Sequence, residues 1–339
     1  MAHTPVKPER IVATAAAALE ASVTLPGAFQ REGIEPFKGA KDDTINIKVE
    51  GVLPYRTYGW RNNRSTELIF DEYSERKEPV TFGDDIYSGV ILTDEQRTMD
   101  FDGWAKLATK QGEAIGRGLN KKAADALEDA PYEVVVTLDQ AKLRNSLLRL
   151  KQVFDKLLVP GARTIYTDTD LELMLLDDDK LASSSHISDS DADTALKEAT
   201  LFKRYGFNFV RAQELTGGTS YGLTNGGMIF VTAAPSVPES AAFGASASVN
   251  GVALRWVRDF EIRKSQELSV FNAYHSFHVT KDPLVVLDGT TGQPKVTAAN
   301  HFVRGVKIEV GNAYSVEVAN TELTTFTGIT SSDGLSDGA

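Results

Sequence analysis

The chain has 339 residues, 42% of them hydrophobic and 24% charged, a globular composition long enough for two domains or one elaborate one. Its formal net charge of -11 argues against nonspecific adsorption to nucleic acid, which draws on an excess of Lys and Arg. Without cysteine it has no disulfide framework, thiolate zinc site or catalytic thiol, and the polar Thr14, Glu20, Ser22 and Thr24 interrupt Ile11 to Leu25, against a signal peptide or membrane span.

Residues 8–21 (PERIVATAAAALEA) are alanine-rich, with Glu9 near the start, and predict a short helix on an otherwise extended arm, ended by Pro26 and Gly27. From 41 to 53, Ile45, Ile47 and Val49 alternate with polar residues, the period of a strand with one buried face. Its return is 68–82. Such a ribbon needs a neighbour, because an isolated two-stranded hairpin is marginal in water. Its tip carries Tyr55, Arg56, Tyr58, Trp60, Arg61 and Arg64, and from Gly51 to Thr66 there are three arginines and no acid. From Glu67 to Glu75 the four acids Glu67, Asp71, Glu72 and Glu75 stand without a base. Tyr, Trp and Arg dominate interface hot spots, and charges segregated along one projection fix its register on a complementary neighbour.

TDEQRTMDF introduces a long helix from Phe101 to Glu128, where Trp104, Leu107, Ile115, Leu119, Ala123 and Leu127 recur at helical spacing over about 40 Å. Gly112, Gly116 and Gly118 weaken it unless they permit close packing or a kink. A mixed α/β stretch follows: a strand at 132–138, a helix over 139–159 capped by Asp139, a TIYTD strand, and a short helix capped by Thr167 or Asp168. Residues 183–193 read as a polar loop, Thr194 to Tyr205 as a helix, and GFNFVRAQEL and GMIFVTAA as strands. From Ala253 onward the pattern is mostly β, and the stretch after Phe326 reads as a flexible tail.

Reactive constellations are sparse. Asp189, Asp191 and Asp193 imitate the start of a calcium loop, but Thr194 and Thr200 stand where it needs Gly and Glu. Asp177, Asp178 and Asp179 read as a solvated helix end. His275 and His278, three apart in a strand, face opposite sides and do not form a metal pair. The glycine-rich TGGTSYGLTNGG (216–227) lacks the Lys and Ser or Thr of a phosphate loop and reads as a turn. No catalytic group, cofactor or metal is assigned.

The order of elements, with the phrases TPVKPERIVATAAAALEASVTLPG, GAKDDTINIKV, DDIYSGVILTDEQRTMDF, GARTIYTDTDLELMLLDDDKL and VRDFEIRKSQELSVFNAYHSFHVTKDPLVVLD, resembles the major capsid proteins of tailed bacteriophages, in a branch found in phages of actinobacteria. The resemblance spans about residues 5 to 290. It implies an α+β, HK97-type fold: an N-arm (1–40), an E-loop hairpin and P-domain strand (41–92), a P-domain spine helix (93–131), a mixed α/β A-domain (132–265), a β-rich return (266–325) and a tail (326–339). It also implies a virion coat subunit assembling into hexamers and pentamers of an icosahedral shell around double-stranded DNA. The implied partners are further copies of the chain, a portal protein, scaffolding and decoration proteins, and weakly held DNA, with no membrane. The alternative from another class is a carbohydrate-binding or carbohydrate-acting β-rich protein, or a virion decoration component.

Overall fold

In the computed structural model the described residues are 7–32, 44–49, 58, 60, 64, 67–68, 76–99, 103–158, 161–177, 203–241, 243–287, 294–297 and 299–329. Helix α1 (Pro8–Ser22) opens on a proline, whose fixed φ suits a first helical turn, and buries Ile11, Val12, Ala15, Ala16 and Leu19 along one face. The helix expected on an extended arm thus belongs to the core. After it come strand β1 (Gln30–Glu32), the hairpin β2 (Thr44–Val49) and β3 (Arg76–Thr81), the ten-residue β4 (Asp84–Thr93), and two helices, α2 (Asp94–Met99) and α3 (Trp104–Glu128).

The TDE start is real but belongs to α2. Thr93 N donates to Gln96 Oε1 at 3.2 Å and Gln96 N donates to Thr93 Oγ1 at 3.4 Å, a reciprocal cap. The long helix begins at Trp104 rather than Phe101, because Gly103 has φ 118°, which no right-handed helix continues through. Once started it runs unbroken. Its glycines mark close approaches: a Cβ on Gly112 would lie 2.6 Å from Ala15 O, and one on Gly118 would lie 2.5 Å from Ile86 Cδ1. Asn120 of α3 ties down the end of α1, donating to Ser22 O at 3.0 Å and accepting from Thr24 N at 3.1 Å.

The remaining elements are β5 (Val134–Asp139), α4 (Leu143–Lys156), β6 (Arg163–Thr167), α5 (Thr169–Asp177), β7 (Lys203–Arg204), β8 (Phe207–Arg211), β9 (Ser220–Thr224), β10 (Met228–Ala233), β11 (Phe243–Val249), β12 (Val252–Glu261), β13 (Gln266–Val279), β14 (Val285–Leu287), β15 (Pro294–Val296), β16 (Gly305–Gly311), β17 (Ser315–Val318) and α6 (Thr321–Thr327). Among the described residues one sheet has six strands, ordered β1-β10-β13-β12-β11 with β4 on the other edge of β13. A second has seven, ordered β17-β5-β16-β9-β6-β8-β7. The sheets therefore do not divide at 265/266. Strands β10, β11 and β12 pair within the sheet of β13, whereas β16 and β17 return to β5.

Helices α1 and α3 cover the inner face of the six-stranded sheet. Leu19, Ile115 and Leu119 pack there with Phe230, Trp256 and Phe271 in one core. A second core joins α4 to the seven-stranded sheet through Leu147, Leu150, Phe154, Val136, Ile165 and Ile308. Asp139 accepts from Ala141 N at 2.9 Å, the expected cap, though a short 3-10 turn separates it from α4.

Three expectations change. The run 216–227 is not simply a turn, because it folds as turn, strand, turn: Gly217, Gly218 and Gly226 take positive φ, and β9 between them is buried along its whole length. Gly222 within it leaves room for the Phe154 ring, whose Cζ would stand 2.9 Å from a Cβ there. The helix expected to reach Tyr205 does not, since Lys203 and Arg204 form β7 and Tyr205 and Gly206 turn at φ 50° and 86°; positions 194–202 lie outside the described residues. The tail expected from 326 is ordered through Ile329, which is 1% exposed, after α6 closes on a left-handed Gly328. Among the described residues no helix is long and apolar enough to cross a membrane.

Candidate functional site

Ile45 pairs with Val80 and Val49 with Arg76 in the antiparallel ribbon β2/β3. Val80 is buried against Ile229 and Val231 of β10, with Phe82 packed beside them, and Ser276 Oγ of β13 donates to Thr81 O at 2.6 Å. The neighbour that the ribbon requires is thus the six-stranded sheet, which holds its base.

Of the expected tip residues, Trp60 is 90% exposed, Arg64 is exposed and Tyr58 is half-buried, with the Arg64 guanidinium carbon 5.3 Å from the Tyr58 ring centroid. Glu67 of the acidic return is exposed, as is Leu68 beside it. Tyr55, Arg56, Arg61, Asp71, Glu72 and Glu75 lie outside the described residues.

The ribbon's base borders a surface that sequence reasoning did not single out. On β4, alternate residues face the core and solvent: Ile86, Ser88 and Val90 lie opposite buried Ala273, Phe271 and Ser269, while Tyr87 and Ile91 point outward and are 71% and 57% exposed. Val270 and Tyr274 of β13 share that outer face and are exposed too. At its end Phe82, Gly83, Asp84, Asp85 and Tyr274 enclose an open cavity of about 310 Å³. The Phe82 and Tyr274 rings stand 6.2 Å apart. Asp85 Oδ2 accepts from Asn272 Nδ2 at 2.9 Å, and Asp84 pairs with Lys122 Nζ at 3.0 Å, which holds its carboxyl below the usual carboxylate range.

Behind the sheet, Arg258 stacks on Trp104 at 4.7 Å and Phe243 at 4.1 Å, and its Nε pairs with Glu267 at 3.1 Å. Arg97 reaches the same carboxylate at 3.4 Å. A second polar node is His301, whose Nδ1 lies 2.7 Å from Glu133 Oε2 and whose Nε2 lies 3.2 Å from Glu322 Oε2. Both join residues remote in the chain, so no spacing in the sequence announces them.

Among the described residues no group of three or more His, Asp or Glu side chains is placed to hold a metal. Asp178, Asp179, Asp189, Asp191 and Asp193 lie outside them. His275 pairs across the sheet with Asp84 and Thr232, and His278 with Ile229, three residues on and on the opposite face.

Trp60 and Arg64, which fall between β2 and β3 in the chain, are exposed, and the outer face of β4 and β13 leaves Tyr87, Ile91, Val270 and Tyr274 to solvent, the kind of apolar exposure that marks interaction surfaces. Residues 87–283, more than half of the chain, match the phage capsid protein family, and the chain belongs to that family. No curated protein matches it by sequence. Among solved structures it is similar to a chain from Mycobacterium phage Che8 (TM-score 0.57, 12% identity, covering 84% of this chain and 90% of that one). It is also similar to chains of the bacteriophage PhiM1 mature capsid (0.52, 9%, 86% and 87%) and of the capsid of Cyanophage P-SCSP1u (0.51, 10%, 84% and 90%). The architecture is the HK97-type capsid fold, and the role is that of a major capsid protein, a structural subunit that self-assembles in the virion shell. The carbohydrate-acting alternative is not favoured.

Proposed function

We propose that this subunit forms hexamers and pentamers of an icosahedral shell around double-stranded DNA, has no enzymatic activity, and assembles in the cytoplasm of a host bacterium. A portal protein, scaffolding and decoration proteins are its expected further partners. Residues 1–40 serve as the N-arm, 41–92 as the E-loop and its P-domain strand, and 93–131 as the region of the spine helix. The sheet pairings favour drawing the A-domain around the seven-stranded sheet, so that it takes β16 and β17 and leaves β10, β11 and β12 to the P-domain.

The carrying observation is Trp60, a large apolar side chain that is 90% exposed and falls in the chain between β2 and β3, whose ribbon is anchored to the six-stranded sheet through Val80. Tyr55, Arg56, Tyr58, Arg61 and Arg64 then complete an intersubunit contact, and Glu67, Asp71, Glu72 and Glu75 its acidic counterpart. Net negative charge suits a container that must release its cargo, since strong binding at every subunit would oppose packaging and ejection.

The test is the double variant Trp60→Ala with Arg61→Ala. Few or no shells by negative-stain microscopy, with an unchanged circular dichroism spectrum of the subunit, is the expected result; a normal particle yield overturns the assignment. Assembly is noncovalent in this reading. Lys77 stands opposite Lys48 within the ribbon, and a ladder of linked multimers from mature particles on a denaturing gel would contradict noncovalent assembly.

A further inference from the structure

Helix α4 concentrates positive charge in an acidic chain. Over 142–156 the cations Lys142, Arg144, Arg149, Lys151 and Lys156 stand against one acid, Asp155, which pairs with Arg163 at the start of β6. The helix gives Leu147, Leu150 and Phe154 to the core, while Arg144, Leu148 and Lys151 follow one another at one-turn spacing along the solvent side. Arg149 stands beside them over the Tyr314 ring at 5.1 Å. Leu148 is 43% exposed, so this face sets an apolar spot among its cations. It suits an acidic segment that also carries a few aliphatic side chains.

One segment of the chain has that composition, and both of its ends lie beside α4. Residues 177–193 hold Asp177, Asp178, Asp179, Asp189, Asp191 and Asp193 against the single cation Lys180, with Leu181 and Ile187 among serines. The chain leaves the described residues after Asp177, the last residue of α5, and re-enters them at Lys203 in β7. Strands β5, β6 and β8 point the same way and succeed one another in one direction across the sheet, so right-handed crossovers put α4 and α5 on the same face. Leu171 and Leu175 of α5 accordingly share a core with Leu147, Leu150 and Phe154. Both helices run back toward the starting ends of the strands. Lys151 is at that end: Arg163, where β6 begins, donates to Lys151 O at 3.3 Å, and a Cβ on Gly206, where β8 is about to begin, would lie 3.7 Å from Lys151 Cε. From 178 to 193 the backbone can extend about 50 Å, more than twice the ~20 Å length of α4. We propose that residues 178–193 dock on the outer face of α4 of the same chain, with the aspartates at 189, 191 and 193 pairing with Arg144, Arg149 and Lys151. The pairing withdraws from the surface a cationic face that would otherwise hold DNA phosphates.

Zero-length crosslinking tests the contact on the unaltered protein. Particles assembled from a mixture of isotopically heavy and light chains are treated with a water-soluble carbodiimide, which joins a lysine amine to a carboxylate in contact with it, then digested and mapped by mass spectrometry. The expected product links Lys151 to the peptide containing Asp189, Asp191 and Asp193 within one chain. Its yield should fall at least about fivefold in about 1 M NaCl, where the Debye length shrinks to about 3 Å. Heavy-to-light products would assign the face to a second copy and overturn the proposal, as would absence of the Lys151 product or a yield indifferent to salt. A short DNA duplex is the second probe. The protein should leave it unbound at physiological salt; binding that also abolishes the Lys151 product would give the face to nucleic acid and overturn the docking.

Discussion

Ser22, at the end of α1, meets α3 at Gly116 so closely that a Cβ on the glycine would overlap the serine hydroxyl. One turn earlier, a Cβ on Gly112 would stand 2.6 Å from the carbonyl oxygen of Ala15. The two helices therefore approach backbone to backbone. Helix propensity alone favours Gly→Ala by about 1 kcal/mol, whereas overpacking costs roughly 1–3 kcal/mol. Gly112→Ala, which meets rigid backbone, is expected to lose stability by about 1–2 kcal/mol in urea unfolding. Gly116→Ala should lose a similar amount and regain part of it with Ser22→Gly. Gly118→Ala, facing only the rotatable end of Ile86, should be nearly neutral. Equal stability of Gly112→Ala and the parent would show that the helices can separate at no cost.

Much of this architecture was legible where one face of an element is apolar and the other polar. The alternation of Ile45 and Ile47 with polar residues marked β2, and α4, which buries Leu147, Leu150 and Phe154 on one face and exposes the other, lies where the sequence placed a helix. The strands that escaped lack that contrast. Strand β9 is buried along its length and written in Ser, Tyr, Gly, Leu and Thr, and β11 is Ala and Ser for most of its residues. The break at Gly103 was hidden for a different reason: a single positive φ stops a helix that the flanking apolar spacing would continue. Of the site, the aromatic and basic composition of the ribbon tip could be read directly. The exposed face of β4 and β13 could not, because Asp85 and Tyr274 become neighbours only through the pairing of those two strands.

Gln111 ties α3 to the sheet beneath it. Its Nε2 donates to Ser88 O at 2.9 Å and Ser269 O at 3.2 Å, and its Oε1 accepts from Ser269 Oγ at 3.1 Å, whose oxygen in turn accepts from Trp256 Nε1 at 2.9 Å. Gln111→Leu keeps the volume and removes these partners, so buried polar groups are left unsatisfied at about 1–3 kcal/mol each. A net loss of about 2–4 kcal/mol is expected by thermal or urea unfolding, with a shift in Trp256 emission in the folded state. Leu accepted with no loss would mean that the chain has no need of this network.

Stability should fall in mild acid through His275. Its ring is buried, with Nδ1 lacking a hydrogen-bond partner among the described residues. Burial lowers its pKa from the ordinary 6.5; Lys122 adds to the effect, and Asp84 and Asp85 oppose it. The unfolded chain therefore takes up this proton at higher pH than the fold does. Between the two values the unfolded state carries more protons, so stability rises with pH and is lost as pH falls below about 6.5. In His275→Gln, the drop in Tm between about pH 7.5 and pH 5.5 should be smaller than in the parent. An unchanged slope would place the acid sensitivity elsewhere.

The C-terminal helix α6 is held from three sides. His301 bridges Glu133 before β5 and Glu322 in α6, Asn320 caps the helix by accepting from Glu322 N at 2.9 Å, and Leu323 and Ile329 enter the core of the seven-stranded sheet. An appendage would lose nothing when its apolar residues are cut back, whereas a buried Leu or Ile truncated to Ala costs about 2–5 kcal/mol. Leu323→Ala and Ile329→Ala are both expected to fall in the lower half of that range, while Thr325→Ala, at an exposed position on the same helix, should change stability by under about 0.5 kcal/mol. His301→Ala should expose α6 to early proteolysis before the fold as a whole is lost, because it removes the polar link and leaves two carboxylates facing the gap. Simultaneous cleavage of α6 and the core would instead make the helix part of a single cooperative unit with the sheet.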